Sequence, residues 1–86
     1  PISGEINTKV NQPEELMEKI KNHYLNQSVS VDDIDGYSFD FGSWRFNIRM
    51  SNTEPLVRLN VETKADEKLL NRKTDEILDL IETLQG

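Results

Sequence analysis

The segment from Arg49 to Arg58 contains the side chains of this chain best suited to binding an anion. The two arginines enclose the polar run Ser51-Asn52-Thr53-Glu54-Pro55, which contributes two hydroxyls, an amide and several main-chain N–H groups. Guanidinium and hydroxyl groups donate strong hydrogen bonds to phosphate oxygens, and a tight turn adds a concave row of backbone donors. We therefore interpret the segment as an oxyanion cradle with phosphate as the expected ligand. By composition alone, a solvated polar turn with two exposed arginines fits equally well.

This segment is a cationic island in an acidic chain. Three arginines and one glutamate lie between Trp44 and Arg58, whereas the whole chain of 86 residues has a net charge of -6. Nucleic acids and anionic membranes bind through clustered Lys and Arg, so the overall balance argues against both as partners.

Three runs of alternating apolar and polar residues position the cradle. Residues 37–41, 44–50 and 57–61 each place apolar side chains on one side, a pattern typical of half-buried strands. Gly42-Ser43 predicts a two-residue hairpin between the first two runs. Arg49 lies near the end of the second run and Arg58 near the start of the third, both on the polar side, so both can converge on the loop between them.

Two helices are predicted to cover the apolar side of these strands. Pro13 and the acids after it favour a helix start, and apolar residues then recur at helical spacing to about Leu25. Residues 26–36 read as a connection with at most a short edge strand. Residues 63–66, Thr-Lys-Ala-Asp, resemble a capping box that opens a second helix running almost to the C-terminus.

These elements predict a single α+β domain over residues 1–86. The expected architecture is a two-layer sandwich: a mainly antiparallel sheet of three to four strands, with two helices packed on one face. The chain lacks cysteine and any apolar stretch near the ~20 residues of a membrane span, so we expect a cytoplasmic protein. It begins with Pro1, and we expect it to be a piece of a longer protein.

The order Arg-x-Ser-Asn-Thr-Glu-Pro, followed by a strand carrying Arg58 and Glu62, resembles the phosphate-binding loop in the C-terminal domain of the α-D-phosphohexomutases. Residues 3–7, Ser-Gly-Glu-Ile-Asn, resemble the start of that domain, and the order of elements is similar across essentially the whole chain. Within the family, Asn52 makes the loop more similar to that of bacterial phosphomannomutases than to that of phosphoglucosamine mutases, which typically have Gly there.

The resemblance implies that Arg49, Ser51, Asn52 and Thr53 grip the sugar phosphate that is not being transferred, while Glu54 and Arg58 support the loop. Together with the chemistry of the residues, it gives a predicted phosphate-binding set of Arg49, Ser51, Asn52, Thr53 and Arg58, with Glu54 and Pro55 as loop support. The implied parent enzyme interconverts hexose 6-phosphate and hexose 1-phosphate. Its phosphoserine, Mg²⁺ loop and sugar-specificity loop would lie in N-terminal domains, so we expect no catalytic residue, metal or cofactor in this chain.

Three other interpretations of the sequence compete with this one. The cradle could belong to a non-catalytic module that recognises phosphorylated ligands, or the arginines could form ion pairs on a sheet face that docks on a neighbour. A calcium loop near residues 31–36 is disfavoured, because the required register puts Val31 at the first ligand position and Gly42 at the last.

Overall fold

The computed structural model describes residues 1–24, 31–32 and 36–85. Along the chain the elements are β1 (Ile6–Lys9), α1 (Pro13–Tyr24), β2 (Val31–Asp32), β3 (Tyr37–Asp40), β4 (Trp44–Met50), β5 (Leu56–Thr63) and α2 (Glu67–Gln85). The strands form one antiparallel sheet in the order β1-β5-β4-β3-β2. The predicted α+β sandwich is confirmed.

The alternation seen in the sequence becomes a division between the two faces of the sheet. On β4, Phe46 and Ile48 are buried while Arg45 and Arg49 are exposed, and on β5 the buried positions include Leu59. Both helices pack on the apolar face, with Ile20 of α1 and Ile77 and Ile81 of α2 almost completely removed from solvent. Each such side chain contributes about 1.5–3 kcal/mol through burial, so this layer holds the domain together.

Within the described residues the sheet has five strands rather than the three to four predicted, because a short edge strand lies on each side of the three long runs. β1 pairs with β5 through registers that include Ile6 opposite Leu59, and β2 adds two residues beside β3. Four residues are too few for a period of two to stand out in a sequence, so only the partner strand reveals β1. The remainder of the connection predicted over residues 26–36 falls largely outside the described residues, as does Leu25 at the predicted end of α1.

The start of α2 differs from the predicted capping box. The cap is Asp66, whose Oδ1 accepts a hydrogen bond of 2.9 Å from the main-chain N–H of Leu69. Thr63 instead is buried as the last residue of β5, where its hydroxyl donates to the carbonyl oxygen of Asp66 at 2.8 Å. The capping-box register was therefore wrong by three residues, because burial of Thr63 against the core keeps it in the strand.

The predicted hairpin between β3 and β4 is confirmed. The N–H of Phe41 donates to the carbonyl oxygen of Trp44 at 2.9 Å, leaving Gly42 and Ser43 as the two loop residues. Gly42 has φ of +91°, the backbone conformation that such a turn requires. In the described part of the chain, neither helix is long and apolar enough to cross a membrane.

Candidate functional site

The sheet face opposite the helices carries polar side chains in rows that run across the strands. Strand register sets each row, because residues opposite one another in an antiparallel pair project from the same face. The rows are Asp40, Arg45 and Glu62; Ser38, Asn47 and Asn60; and Arg49, Arg58 and Asn7. The third row lies closest to the loop between β4 and β5, so the positive charge beside that loop comes from two arginines.

Arg49 and Arg58 are direct cross-strand partners. Like charges placed opposite one another destabilise a sheet unless a counterion lies between them. Glu5, just before β1, provides that counterion: its Oε2 is 3.0 Å from Nη1 of Arg58, and its Oε1 is 3.7 Å from Nη2 of Arg49. Asn7 adds a weaker contact, its Oδ1 accepting from Nη1 of Arg58 at 3.5 Å.

The two arginines of this pair differ in how firmly they are held. The Arg58 side chain is 31% exposed and hydrogen-bonds to Glu5, whereas the Arg49 side chain is 49% exposed and its contact with the same carboxylate is the longer of the two. Arg49 is thus the guanidinium more available to a ligand at the loop.

Arg45 has a counterion of its own at the far end of the polar face. Its Nε hydrogen-bonds to Glu62, and this hydrogen bond, with the charge of the same carboxylate, raises the pKa of Arg45. Because Arg45 lies four residues further from the loop than Arg49 on the same face of β4, it is a natural control for the effect of charge without proximity.

The loop itself is a short turn closed by its own main chain. The N–H of Ser51 donates to the carbonyl oxygen of Leu56 at 3.0 Å, and the N–H of Leu56 donates to that of Glu54 at 2.8 Å. Inside the turn, Oγ of Ser51 accepts from the N–H groups of Thr53 and Glu54, both at a long 3.3 Å. These two donors are weakly engaged, which leaves them able to turn to a stronger acceptor such as an anion.

The predicted loop residues lie together at the surface. Ser51 is half-buried, and Asn52, Thr53, Glu54 and Pro55 are exposed. The structure brings Arg49 and Arg58 to the same side of the sheet beside them, where both contact Glu5 and Arg58 also contacts Asn7. Glu54 and Pro55 do contact the loop surroundings, through their carbonyl oxygens to Leu56 and to Val10.

Glu5 is the residue that sequence reasoning missed. Its sequence signal is limited to its place in the stretch at residues 3–7, and its contact with Arg58 joins positions 53 residues apart. The sequence carries no periodic signal for such a pair; the register of β1 against β5 is what brings them together.

An open depression of about 560 Å³ lies on the other side of the loop. Met50, Ser51 and Asn52 line one wall, and the start of α1, including Glu14 and Glu15, lines the other. Two carboxylates repel an anion, so the arginine side of the loop is the electrostatically favourable approach. Residues 33–35 of the segment considered as a calcium loop lie outside the described residues.

A known protein family and several known proteins match nearly the whole length of this chain. The family model for the phosphoglucomutase/phosphomannomutase C-terminal domain matches residues 5–80. The chain is 53% identical over 81 residues to a protein from Xanthomonas campestris pv. campestris (strain B100) that has the name "Phosphohexose mutases". The matched region is 94% of this chain and 18% of that protein.

Two further relatives match nearly the whole chain. The phosphomannomutase of Vibrio cholerae is 51% identical over 84 residues, 98% of this chain, and that of Methanocaldococcus jannaschii is 45% identical over 86 residues, 100% of this chain. In both comparisons the chain spans 18% of the relative's length. By the extent of the family match and the level of identity, this chain belongs to the family of phosphoglucomutase/phosphomannomutase C-terminal domains.

Proposed function

We propose that this chain is the phosphate-binding C-terminal domain of a phosphohexomutase, of the phosphomannomutase kind, that interconverts hexose 6-phosphate and hexose 1-phosphate. The observation that carries the proposal is the position of Arg49 and Arg58, paired across β4 and β5 on the polar face immediately beside the Ser51–Thr53 turn. Membership of the family supports it, and the relatives named as phosphomannomutases favour mannose phosphates as substrates.

In this proposal the ligand is the phosphate that is not being transferred. Arg49 would present two parallel N–H donors to two phosphate oxygens, and the Ser51 and Thr53 hydroxyls and the Asn52 amide would complete the cradle. The main-chain N–H groups of Thr53 and Glu54 make long contacts to Ser51 at the surface. They can donate to the phosphate without breaking a buried hydrogen bond. Glu54 and Pro55 support the turn.

A site of this composition recognises a phosphate without recognising the sugar. That property suits an enzyme in which the phosphate on either end of a hexose must be held while the other is transferred. The domain would act as a lid with a phosphate contact, closing over a cleft formed with the other domains of the same enzyme. The nucleophile and Mg²⁺ would belong to those domains, so this chain alone would catalyse nothing, and we place the enzyme in the cytoplasm.

A second candidate function is supported by the ion pairs. Arg45 with Glu62, and Arg58 with Glu5, make the polar face a charge-balanced surface that could dock on a neighbouring domain without binding phosphate. The two candidates differ in what Arg49 does. As a phosphate ligand it needs the forked geometry of a guanidinium, whereas as a surface charge it could be replaced by lysine.

The test compares Arg49→Lys with Arg45→Lys in the full-length enzyme. Losing a charge-assisted contact to phosphate costs roughly 2–5 kcal/mol, which is about 30-fold to several thousand-fold in kcat/KM, and we expect that loss for Arg49→Lys alone. Both variants should unfold within about 1 kcal/mol of the parent, because exposed ion pairs contribute little. Full activity of Arg49→Lys would support the docking surface instead.

A further inference from the structure

We propose that Glu5 is an internal competitor for the phosphate site: its carboxylate occupies the Arg49–Arg58 pair in the free domain and must release Arg49 when phosphate binds. The inference rests on the proposed function and deepens it by naming a residue that sets the affinity of the site.

The geometry gives Glu5 the role that an anionic ligand would take. Two cationic side chains face one another across β4 and β5, and one carboxylate places an oxygen on each of them, at 3.0 Å and 3.7 Å. A phosphate offers the same pair of oxygens with more charge. A ligand oxygen and Glu5 Oε1 would then compete for the same guanidinium of Arg49.

The unequal contacts indicate which bond is given up. Arg58 is the more buried of the two arginines, and it is hydrogen-bonded to Glu5 and also contacts Asn7, so it anchors the carboxylate. Arg49 is half-exposed, borders the loop, and is joined to Glu5 by the longer contact. Phosphate binding at Ser51–Thr53 would therefore draw Arg49 away and leave the Arg58–Glu5 pair in place.

Removal of the Glu5 charge should have two effects, and both arise from the loss of the counterion between Arg49 and Arg58. Without the carboxylate the two arginines repel one another in the free domain, and the unneutralised pair attracts an anion more strongly. Glu5→Gln keeps an acceptor for Arg58 while removing the charge, so it isolates the electrostatic effect. Glu62→Gln makes the same substitution beside Arg45, away from the loop, and is the matched control for the change in net charge.

The experiment titrates inorganic phosphate, at constant ionic strength, into the 86-residue chain and its Glu5→Gln and Glu62→Gln variants, following the amide resonances of residues 49–53. Exposed ion pairs are worth up to about 1 kcal/mol each, so we expect Kd to fall roughly 2- to 5-fold for Glu5→Gln and by less than about 2-fold for Glu62→Gln. In the parent chain, saturation with phosphate should also move the side-chain carboxyl ¹³C resonance of Glu5 and leave that of Glu62 in place.

The other possible outcomes contradict either the role of Glu5 alone or the proposed function as well. If the parent chain binds phosphate at the loop but Glu5→Gln binds no more tightly, or if both variants gain equally, Glu5 is not a competitor and the proposed function stands. If the Glu5 carboxyl resonance is unmoved at saturation, the competitor role likewise fails, whatever the folding of the variants. If none of the three chains binds phosphate at residues 49–53, the proposed function fails and the role of Glu5 fails with it.

Discussion

Val10 donates a main-chain hydrogen bond of 2.9 Å to the carbonyl oxygen of Pro55, which fastens the end of the candidate loop to the segment between β1 and α1. Val10 is buried in the core, so the donor of this hydrogen bond is held in place by packing. Ser51 closes the base of the loop through its own bond to Leu56. The tip, from Asn52 to Glu54, therefore projects from a base that the fold already holds in position, as a ligand-binding turn requires.

Gly36→Ala should destabilise the domain. A Cβ at this position would lie 2.4 Å from the carbonyl oxygen of Ile48 and 2.6 Å from Cβ of Arg49, so β4 would have to move. We expect a loss of about 1–3 kcal/mol in the free energy of unfolding, measured with urea. Gly4→Ala is the control: Gly4 also has positive φ, at +76°, but its Cβ would meet nothing within 4 Å, so only backbone strain of about 1 kcal/mol applies. Equal losses in the two variants would show that the close approach at Gly36 is not tight.

Ala65→Gly should stabilise the domain. Among the described residues other than glycine, Ala65 alone has positive φ, at +50°, just before the Asp66 cap of α2. Relief of this strain outweighs the extra chain entropy of glycine, for a net gain of about 0.5–1 kcal/mol in thermal or urea unfolding. Lys64→Gly, one residue earlier and without positive φ, should instead lower stability by a similar amount. A loss at both positions would mean that the conformation at Ala65 is unstrained.

The helix periodicity and the β4 and β5 alternation could be read from sequence because burial repeats over many residues in each. Every apolar position of β4 from Trp44 to Ile48 is buried, and Arg45 and Arg49 are exposed, as the pattern predicts. The cap of α2 could not be settled in this way, because Thr63 and Asp66 are both good capping residues. Packing of Thr63 in β5, a tertiary effect, decides between them.

The candidate site could be predicted from the sequence only in part. The loop and its flanking arginines are contiguous in sequence, so their types and spacing identify them directly. Glu5 is remote in sequence, and the opposition of Arg49 and Arg58 depends on a strand register that the loop length alone does not specify. What the structure adds to the site is thus its internal charge balance.

Tyr24→Phe should reduce the decrease in the free energy of unfolding as the pH rises above 10. Burial, with a smaller contribution from the charge of Glu76, raises the pKa of Tyr24 to about 12 from its ordinary value of 10.0. Because the folded-state pKa lies above the unfolded one, this contribution is fully present below pH 10 and is lost as the pH rises toward 12. Urea unfolding of both chains between pH 9 and 12 measures the difference, and parallel profiles would show that Tyr24 ionises equally easily in the folded state.

The central claim, that the Ser51–Thr53 turn binds phosphate, is tested most directly by titrating the ¹⁵N-labelled chain with inorganic phosphate. We predict saturable shifts of the amide resonances of Ser51, Asn52 and Thr53 and of the Arg49 side chain. The affinity should be weak, on the order of millimolar, because the sugar and the closing domains are absent. The Arg45 side chain, paired with Glu62 at the far end of the same face, should shift little. Saturating phosphate that moves resonances elsewhere and leaves those of Ser51, Asn52 and Thr53 unchanged would contradict the account.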